Sequence, residues 1–418
     1  MRKLLSWSLC AAAVWGGLCA GRDANAQSFG VELHNTLMPA SGAMAGVSIA
    51  QPQDLVSGIN ANPATLTQFA GTQFQFGGAW AEPTFDLTQS SVILPIGPPL
   101  IEPFSAKSNA PGTPVGNIGV TQNLNELGLP VTFGIGFVTT AGGFVDFRHV
   151  PESHGTNSAL SIFSMPVSLG VQLTDRLSVG ASTAMGIALY NAPFTVIGSV
   201  TPDYALRATL GTNYQLTETT NVGAYYQSTQ GFQFNDAVLL PTPGGGQTTR
   251  DVKLDLPQNI GFGVSNSALM NGNLLLAMDV LYKLWNEAES FETVYDNQWV
   301  LQFGTQYSAG RWRWRAGYAW AQNPLDPTPG NAIGGVIQPS ELAAIRYTQG
   351  LLAIANQHRL SGGVGVMDVL PGVNLDLMAG GMFSDTQQLG DSTTTTVTSY
   401  WIGLGLTWQF GAGACRSN

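Results

Sequence analysis

The stretch 400–410 alternates between two kinds of side chain at nearly every step. Its even positions, from Tyr400 to Phe410, are all large and apolar, whereas the odd positions other than Trp401 are small or polar. Successive side chains of a β-strand point to opposite faces, so this stretch predicts a strand with one apolar face. Aromatic residues stand at both ends of the apolar row, where a transmembrane barrel strand meets the two membrane interfaces. The pattern therefore favours a strand that contacts lipid, and with it a transmembrane β-barrel.

The same two-faced pattern recurs along most of the chain. In one predicted strand, Trp312, Trp314 and Tyr318 alternate with arginines and glycine. Another predicted strand, over 251–264, continues past Pro257. The pattern predicts roughly thirteen strands, and because single-chain bacterial barrels have an even number, we expect one more within 91–128. The thirteen cover about 72–88, 129–140, 160–173, 177–192, 201–215, 221–234, 251–264, 274–284, 299–307, 311–320, 357–367, 373–377 and 400–410.

Two connections are too long for turns. The stretches 91–128 and 321–356 are rich in proline and predict extracellular loops, because barrels of this kind keep their long loops outside. Ser340 and Glu341 precede a short apolar run, which predicts a short helix within the second loop. The stretch 236–250 contains three consecutive glycines and predicts a third loop or flexible turn.

The N-terminus predicts export from the cytoplasm. Arg2 and Lys3 precede an apolar run over 4–20, and Ala24-Asn25-Ala26 then supplies the small-x-small pattern of a signal-peptidase site, with cleavage after Ala26. We expect a signal peptide over 1–26. Its removal would leave Cys415 as the one remaining cysteine of three, which excludes an internal disulfide and cysteine ligation of zinc.

Composition agrees with a barrel and excludes several classes of function. Charged residues make up 10% of the chain, whereas an aqueous domain of this size is normally about a quarter charged. The formal net charge of -10 argues against a nucleic-acid partner. The predicted mature chain lacks an apolar run long enough for a spanning helix. If it enters a membrane, it must therefore do so as a closed barrel.

A colinear series of short motifs resembles the FadL family of outer-membrane transporters for long-chain fatty acids and hydrocarbons. The residues 29–33 and 41–46 and the motif Asn62-Pro63-Ala64 look like the amino-terminal hatch of that family. Downstream, the residues 256–264, 277–280 and 314–318 fall in the order and spacing of its later strands. The likeness spans nearly the whole predicted mature chain.

The resemblance implies an all-β fold: a transmembrane antiparallel β-barrel of about fourteen strands with an N-terminal hatch, or plug, inside its lumen. The expected segments are the plug over 27–70, the barrel over 71–410 and a tail over 411–418. The implied function is passive uptake of a hydrophobic small molecule with sideways exit into the membrane. The first expectation for the cargo is a long-chain fatty acid, and the alternative is an aromatic or alkane hydrocarbon. We expect a monomer in the bacterial outer membrane, among its lipid and lipopolysaccharide, without cofactor or metal.

Two groups of residues are candidates for substrate binding. If Trp312 and Trp314 face lipid, the intervening cations face the lumen, where one of them or a neighbouring lysine would bind a carboxylate. The alternative, which we favour for any single arginine, is that each cation pairs with an acid such as Asp279, Glu32 or Asp54, since buried charges are normally paired. The candidate cations are Lys283, Arg311, Arg313 and Arg315; the apolar candidates of the plug are Phe29, Leu33, Leu37 and Met38. Asn62, Pro63 and Ala64 form either a moving element of the plug or simply a turn.

Two other classes of protein compete with this interpretation. A lipid hydrolase needs a serine and a histidine in contact, and the four histidines are His34, His149, His154 and His358. Ser153 and His154 are adjacent, which in a strand points them to opposite faces. An open porin would need an unobstructed polar lumen, and a hatch of some forty residues argues against it.

Overall fold

The computed structural model describes residues 31–91, 101–191, 200–241, 246–329, 339–353 and 356–410. These contain mostly strands: β1 Thr72–Gln89, β2 Phe104–Lys107, β3 Thr113–Asn123, β4 Val131–Asp146, β5 Asn157–Gln172, β6 Leu177–Asn191, β7 Thr201–Thr217, β8 Thr220–Gln227, β9 Gln230–Pro241, β10 Gln247–Leu256, β11 Gln258–Leu269, β12 Leu274–Leu284, β13 Gln298–Ala309, β14 Trp312–Ala321, β15 His358–Leu370, β16 Val373–Leu389 and β17 Thr393–Phe410. The α-helices are α1 Pro39–Gly42, α2 Leu55–Asn60 and α3 Pro339–Leu351. Short 3-10 helices cover Pro63–Gln68, Asn125–Leu127, Pro151–Ser153, Met270–Gly272, Trp285–Glu287 and Phe291–Thr293.

Within the described residues, fourteen strands form one closed antiparallel barrel. The first strand closes the barrel by pairing with the last along its whole length, from Thr72 opposite Phe410 to Gln89 opposite Thr393. The short β2 adds to the edge of β1, and β9 with β10 forms a separate hairpin inserted between β8 and β11. Within the part of the chain described, no helix is long and apolar enough to cross a membrane.

The two ends of the barrel differ in their connections. At one end, here called the turn end, neighbouring strands are joined by short turns such as 218–219, 310–311 and 371–372. The opposite end, here called the loop end, carries the long connections 90–112 and 322–357, of which the second contains α3. Transmembrane barrels of bacteria have their short turns in the periplasm and their long loops outside.

Alternation of side chains sets the two faces of the wall. In β17, Ile402 is 58% exposed and Leu404 is 48% exposed, whereas Trp401 between the outward positions is 1% exposed. In β14, Trp312 and Trp314 are exposed and Arg315 is buried. Large apolar side chains thus cover the outside of the barrel and mostly small or polar ones line the lumen, as the sequence predicts.

The residues before β1 fill the lumen as a plug, here residues 31–70. Their hydrogen bonds reach widely separated parts of the wall. The Asn62 side chain donates to the Thr212 carbonyl of β7, the Ala45 amide donates to Ser361 of β15, and Gln302 of β13 donates to the Ala45 carbonyl. Residues 1–30, which include the predicted signal peptide and Phe29, and the tail 411–418 lie outside the described residues.

The expected fourteenth strand within 91–128 is confirmed as β3, which shortens the loop predicted there. Two other details of the predicted strand pattern were wrong. Pro257 does not lie within one strand; it separates β10 of the hairpin from β11 of the barrel, and Leu254 and Leu256 of β10 are buried at the loop end. Most of the predicted loop 236–250 belongs to β9 and β10. The predicted helix in the loop 321–356 is confirmed as α3.

Candidate functional site

The plug lies against wall positions that have no side chain. Asn62 begins the 3-10 helix Pro63–Gln68 by accepting a hydrogen bond from the Ala64 amide, and its side chain also donates to the Ile49 carbonyl. A Cβ added to Gly211 of β7 would lie 2.0 Å from the Asn62 Oδ1 atom, and one added to Gly180 of β6 would lie 2.4 Å from the Ala64 amide nitrogen. The motif is therefore a fixed turn in contact with the wall, and a role in movement stays a prediction.

A buried ionic cluster joins the plug to one side of the wall. The carboxylate of Glu32 in the plug accepts hydrogen bonds from Lys283 of β12 at 2.5 Å and from Arg207 of β7 at 2.8 Å. The side-chain amide of Asn259 in β11 donates to the same carboxylate at 3.1 Å. Burial on its own would raise the pKa of Glu32, but the charges of Lys283 and Arg207 and their hydrogen bonds lower it to about 2. Glu32 is thus ionised at neutral pH and matched with two cations.

The backbone on either side of Glu32 pairs with the opposite part of the wall. The Leu33 amide donates to the Thr140 carbonyl of β4 at 2.8 Å, and the Gly142 amide donates to the Val31 carbonyl at 2.9 Å. Glu32 and Ala141 form an isolated antiparallel bridge between these two bonds. β4 also carries a bulge at this point, between Thr139 and Ala141, in its pairing with β5.

The wall is interrupted beside this bulge. Over the described residues of β3 and β4, their pairing ends at Asn117 opposite Val138. Toward the loop end, residues 113–116 of β3 pair with β1 and residues 139–146 of β4 pair with β5, and these two described segments share no backbone pairing. A hydrogen bond from the Thr139 hydroxyl to the Gly116 carbonyl, at 3.3 Å, joins them. The wall resumes where the Asn109 amide donates to the Asp146 carbonyl. The result is a gap in the backbone pairing of the wall between β3 and β4.

An apolar cavity of about 430 Å³ lies between the plug, the wall and the loop-end structures. Val31 of the plug contributes to its lining, residues 143–145 of β4 lie beside the gap, and Phe291, Leu351 and Leu352 come from the loop end. α3 is held there because Tyr347 donates to Thr156 and Gln349 donates to the Val294 carbonyl. None of the residues that line the cavity is charged; they are Val31, Phe85, Gly143, Phe144, Val145, Ser158, Leu160, Tyr190, Val252, Leu254, Ser290, Phe291, Thr293, Thr348, Leu351 and Leu352.

A second, polar cavity of about 30 Å³ lies next to the ionic cluster, lined partly by Glu32, Arg207, Asn259 and His34. This volume is enough for about one water molecule. His34 bonds to the Tyr225 hydroxyl through Nε2, while its Nδ1 has no hydrogen-bond partner among the described residues. Burial lowers the pKa of His34 to about 3, so the imidazole is neutral at physiological pH.

The predicted cations lie at different levels of the barrel. Lys283 pairs with Glu32, and Arg315 pairs with Asp376 of β16 at 2.5 Å. Arg311 and Arg313 lie at the turn end, where they donate to the carbonyls of Asp368 and Gly310. The structure therefore brings Lys283, but not the three arginines, close to the plug segment that borders the large cavity.

Of the predicted apolar residues of the plug, Leu33, Leu37 and Met38 are buried but do not line the apolar cavity, and Phe29 lies outside the described residues. Leu33 and Leu37 belong to the largest core cluster, and Met38 packs with Leu55 and Ile59 of α2. Their role in binding stays a prediction.

Two parts of the site were not predicted. Arg207 is the lone basic residue of its strand and falls in the polar row of that strand, and this signal could have identified it. The residues of the large cavity come from distant parts of the chain and share no local pattern.

Of the residues considered for a hydrolase, Ser153, His34 and His358 form hydrogen bonds with other groups. The Ser153 hydroxyl donates to the Phe147 carbonyl, and His154 follows at positive φ. His358 bonds to the Tyr318 hydroxyl, and His34 bonds to the Tyr225 hydroxyl. These bonds do not join a serine to a histidine.

Comparison with solved structures identifies barrels of the same fold. The toluene transporter TodX of Pseudomonas putida has a TM-score of 0.64 at 15% identity, with 89% of this chain and 98% of that chain covered. The toluene transporter TbuX of Ralstonia pickettii has a TM-score of 0.62 at 17% identity, with the same coverage. A FadL homologue of Pseudomonas aeruginosa has a TM-score of 0.64 at 15% identity, covering 89% and 98%.

At the level of sequence, no family model and no curated protein matches the chain. At these identities the likeness to the solved structures establishes a shared fold. The resemblance to the FadL family, which the sequence motifs indicate, therefore holds for the architecture of a plugged barrel.

Proposed function

We propose that this protein is a passive channel for hydrophobic small molecules in the outer membrane of a Gram-negative bacterium. The observation that carries the proposal is the apolar cavity of about 430 Å³ beside the gap between β3 and β4. Cavities of roughly 300–1,000 Å³ with mostly apolar lining are typical of sites for small molecules. The solved structures of the same fold include two transporters of toluene, which supports the same class of cargo.

The lining of the cavity favours a neutral cargo over a fatty acid. A buried carboxylate needs a cation or several hydrogen-bond donors, because its transfer from water is otherwise costly. The cavity residues include serine, threonine and tyrosine hydroxyls but no lysine or arginine. Lys283, the nearest of the predicted cations, is already paired with Glu32. An aromatic or aliphatic hydrocarbon fits this site without an unpaired charge.

The proposed route enters at the loop end, passes through the cavity and leaves sideways through the gap into the membrane. Between Val31 and the turn end, the plug and the ionic cluster present charged and polar groups. Passage of an apolar molecule past them is unfavourable, because it offers these groups no hydrogen bonds. The gap beside Phe144 and Val145 instead opens toward lipid, in which a hydrocarbon dissolves. Partitioning and the concentration gradient supply the direction without ATP.

Filling the apolar cavity should lower the uptake of a hydrophobic cargo. Leu254, which is 5% exposed, lines the cavity, and Leu254→Trp would occupy much of its volume. We expect this variant to lower the uptake of radiolabelled toluene into expressing cells about tenfold, because removing the binding site removes the favourable step of the route.

The matched control is Leu377→Trp, which places the same side chain on the lipid-facing surface of β16 and should leave uptake unchanged. Radiolabelled hexadecanoate, added alone, distinguishes the cargo classes. Uptake of hexadecanoate that equals that of toluene and is lost in Leu254→Trp would contradict a neutral cargo. Unchanged toluene uptake in Leu254→Trp would contradict the cavity as the site.

A further inference from the structure

Residues 31–33 of the plug form the contact that β3 would otherwise make with β4. Each strand edge needs hydrogen-bond partners for its amides and carbonyls, and in a membrane the cost of leaving them unpaired is high. At Thr140 and Gly142 these partners are the Leu33 amide and the Val31 carbonyl. The edge of β4 is therefore paired with the plug at the level where it separates from β3.

The same segment is held from the other side of the lumen. The side chain of Glu32 is bound by Lys283, Arg207 and Asn259, which belong to β12, β7 and β11. Arg207 is itself fixed by its bonds to the carbonyls of Ser228 and Pro257. The backbone of Glu32 thus contacts one part of the wall while its carboxylate contacts another.

We infer that residues 31–33 are a strut which keeps the gap between β3 and β4 open, and that Glu32 is its positioning residue. Charge-assisted hydrogen bonds are about twice as strong as neutral ones, so Glu32 resists the tendency of β4 to pair with β3. Val31 also lines the apolar cavity, which places the strut between the cargo site and the exit. The inference rests on the proposed function for its role in transport, but its structural content is independent of it.

Hydrogen exchange of the purified barrel in detergent tests the strut directly. In Glu32→Gln, we expect the Leu33 amide to exchange at least about tenfold faster, because two charged partners of residue 32 are weakened. We also expect the Gly116 amide to exchange more slowly, because β4 is then free to pair with it. Gly116 lies on the edge of β3 that faces β4, since its carbonyl accepts from the Thr139 hydroxyl, whereas Pro114 on the same edge has no amide hydrogen. Uptake of toluene should fall as the gap closes.

Two further variants serve as a replacement for the single variant and as a matched control. Glu32→Gln/Lys283→Met removes the pair without leaving the lysine charge unmatched, and it should give the same exchange pattern if the single variant fails to fold. Asp376→Asn breaks the buried pair with Arg315, which does not involve residues 31–33, and should leave the exchange of the Leu33 and Gly116 amides unchanged.

The outcomes separate this inference from the proposed function. Faster exchange at Leu33 without slower exchange at Gly116 would overturn the strut, as would the expected pattern in Asp376→Asn. If the unaltered protein carries no toluene, the proposed function fails, while the exchange pattern still decides whether Glu32 holds β4 away from β3.

Discussion

At the scale of single residues, the fit between plug and wall depends on side chains that are absent. Gly211 and Gly180 face Asn62 and the backbone of the plug so closely that a single methyl group would overlap them. Protein interiors tolerate such overlap poorly, because neighbouring atoms are already in contact. These glycines therefore set how closely the plug approaches the wall.

Adding one methyl group at the contact should weaken the protein. Gly211→Ala places a Cβ 2.0 Å from the Asn62 Oδ1 atom, which forces either the plug or β7 to shift. We expect a loss of stability of about 1–3 kcal/mol, seen as a lower Tm in thermal unfolding followed by circular dichroism. Gly116→Ala in β3 is the matched control, because a Cβ there has no atom within 4 Å. Equal melting temperatures for the two variants would contradict a tight contact at Gly211.

At the scale of elements, the strands present different side chains on the two faces of the wall. In β17, the outward row from Tyr400 to Phe410 contacts the surrounding phase, whereas Trp401 faces the interior. The exposure of so many large apolar side chains on one continuous surface is typical of a barrel immersed in lipid.

Charge on the outward row should be costly near its middle. Leu404 is 48% exposed on the outside of β17, and Leu404→Arg would place a cation in the hydrocarbon layer. We expect a loss of about 2–4 kcal/mol in the free energy of unfolding, measured by urea titration in lipid vesicles. Leu404→Phe, which stays apolar, should change it little. A negligible effect of the arginine would mean that Leu404 does not contact lipid.

Much of the fold is predictable from the sequence because the period of two is a local property. The alternation in β12, β14 and β17 is enough to predict which of their residues face outward. β3 is harder to recognise because prolines and glycines before and within it weaken the pattern. Leu254 follows the pattern but faces a cavity rather than lipid, since alternation does not identify the phase that an apolar face contacts.

The candidate site is less predictable because it is assembled from distant positions. Glu32 and Lys283 are separated by 251 residues, and only the closure of the barrel brings them together. Both are predictable as lumen charges, yet the sequence does not decide between this pair and a free cation for a carboxylate. The cavity combines residues of the plug, several strands of the wall and α3, whose juxtaposition depends on the register of every strand.

At the scale of the whole molecule, the plug decides whether the barrel is a selective route or an open pore. Deletion of residues 27–69 should leave a barrel that still inserts, because its strands pair with one another around the barrel and the edge of β4 now bound by the plug is then free to pair with β3. We expect a large steady conductance in planar bilayers after deletion and little in the complete protein, together with loss of selective toluene uptake. If conductance and uptake both match those of the complete protein, these residues do not obstruct the lumen.

The pairing of β1 with β17 also has a consequence for biogenesis. The strand that closes the barrel is the last to be synthesised, whereas the plug precedes every strand. Contacts between such distant parts of a chain form late, because a long loop must close before they stabilise the protein. The plug is therefore enclosed as the wall completes its circumference, with the bare backbone of Gly211 and Gly180 pressed against it. The plug therefore occupies the lumen from the moment the barrel closes, rather than entering a finished barrel afterwards.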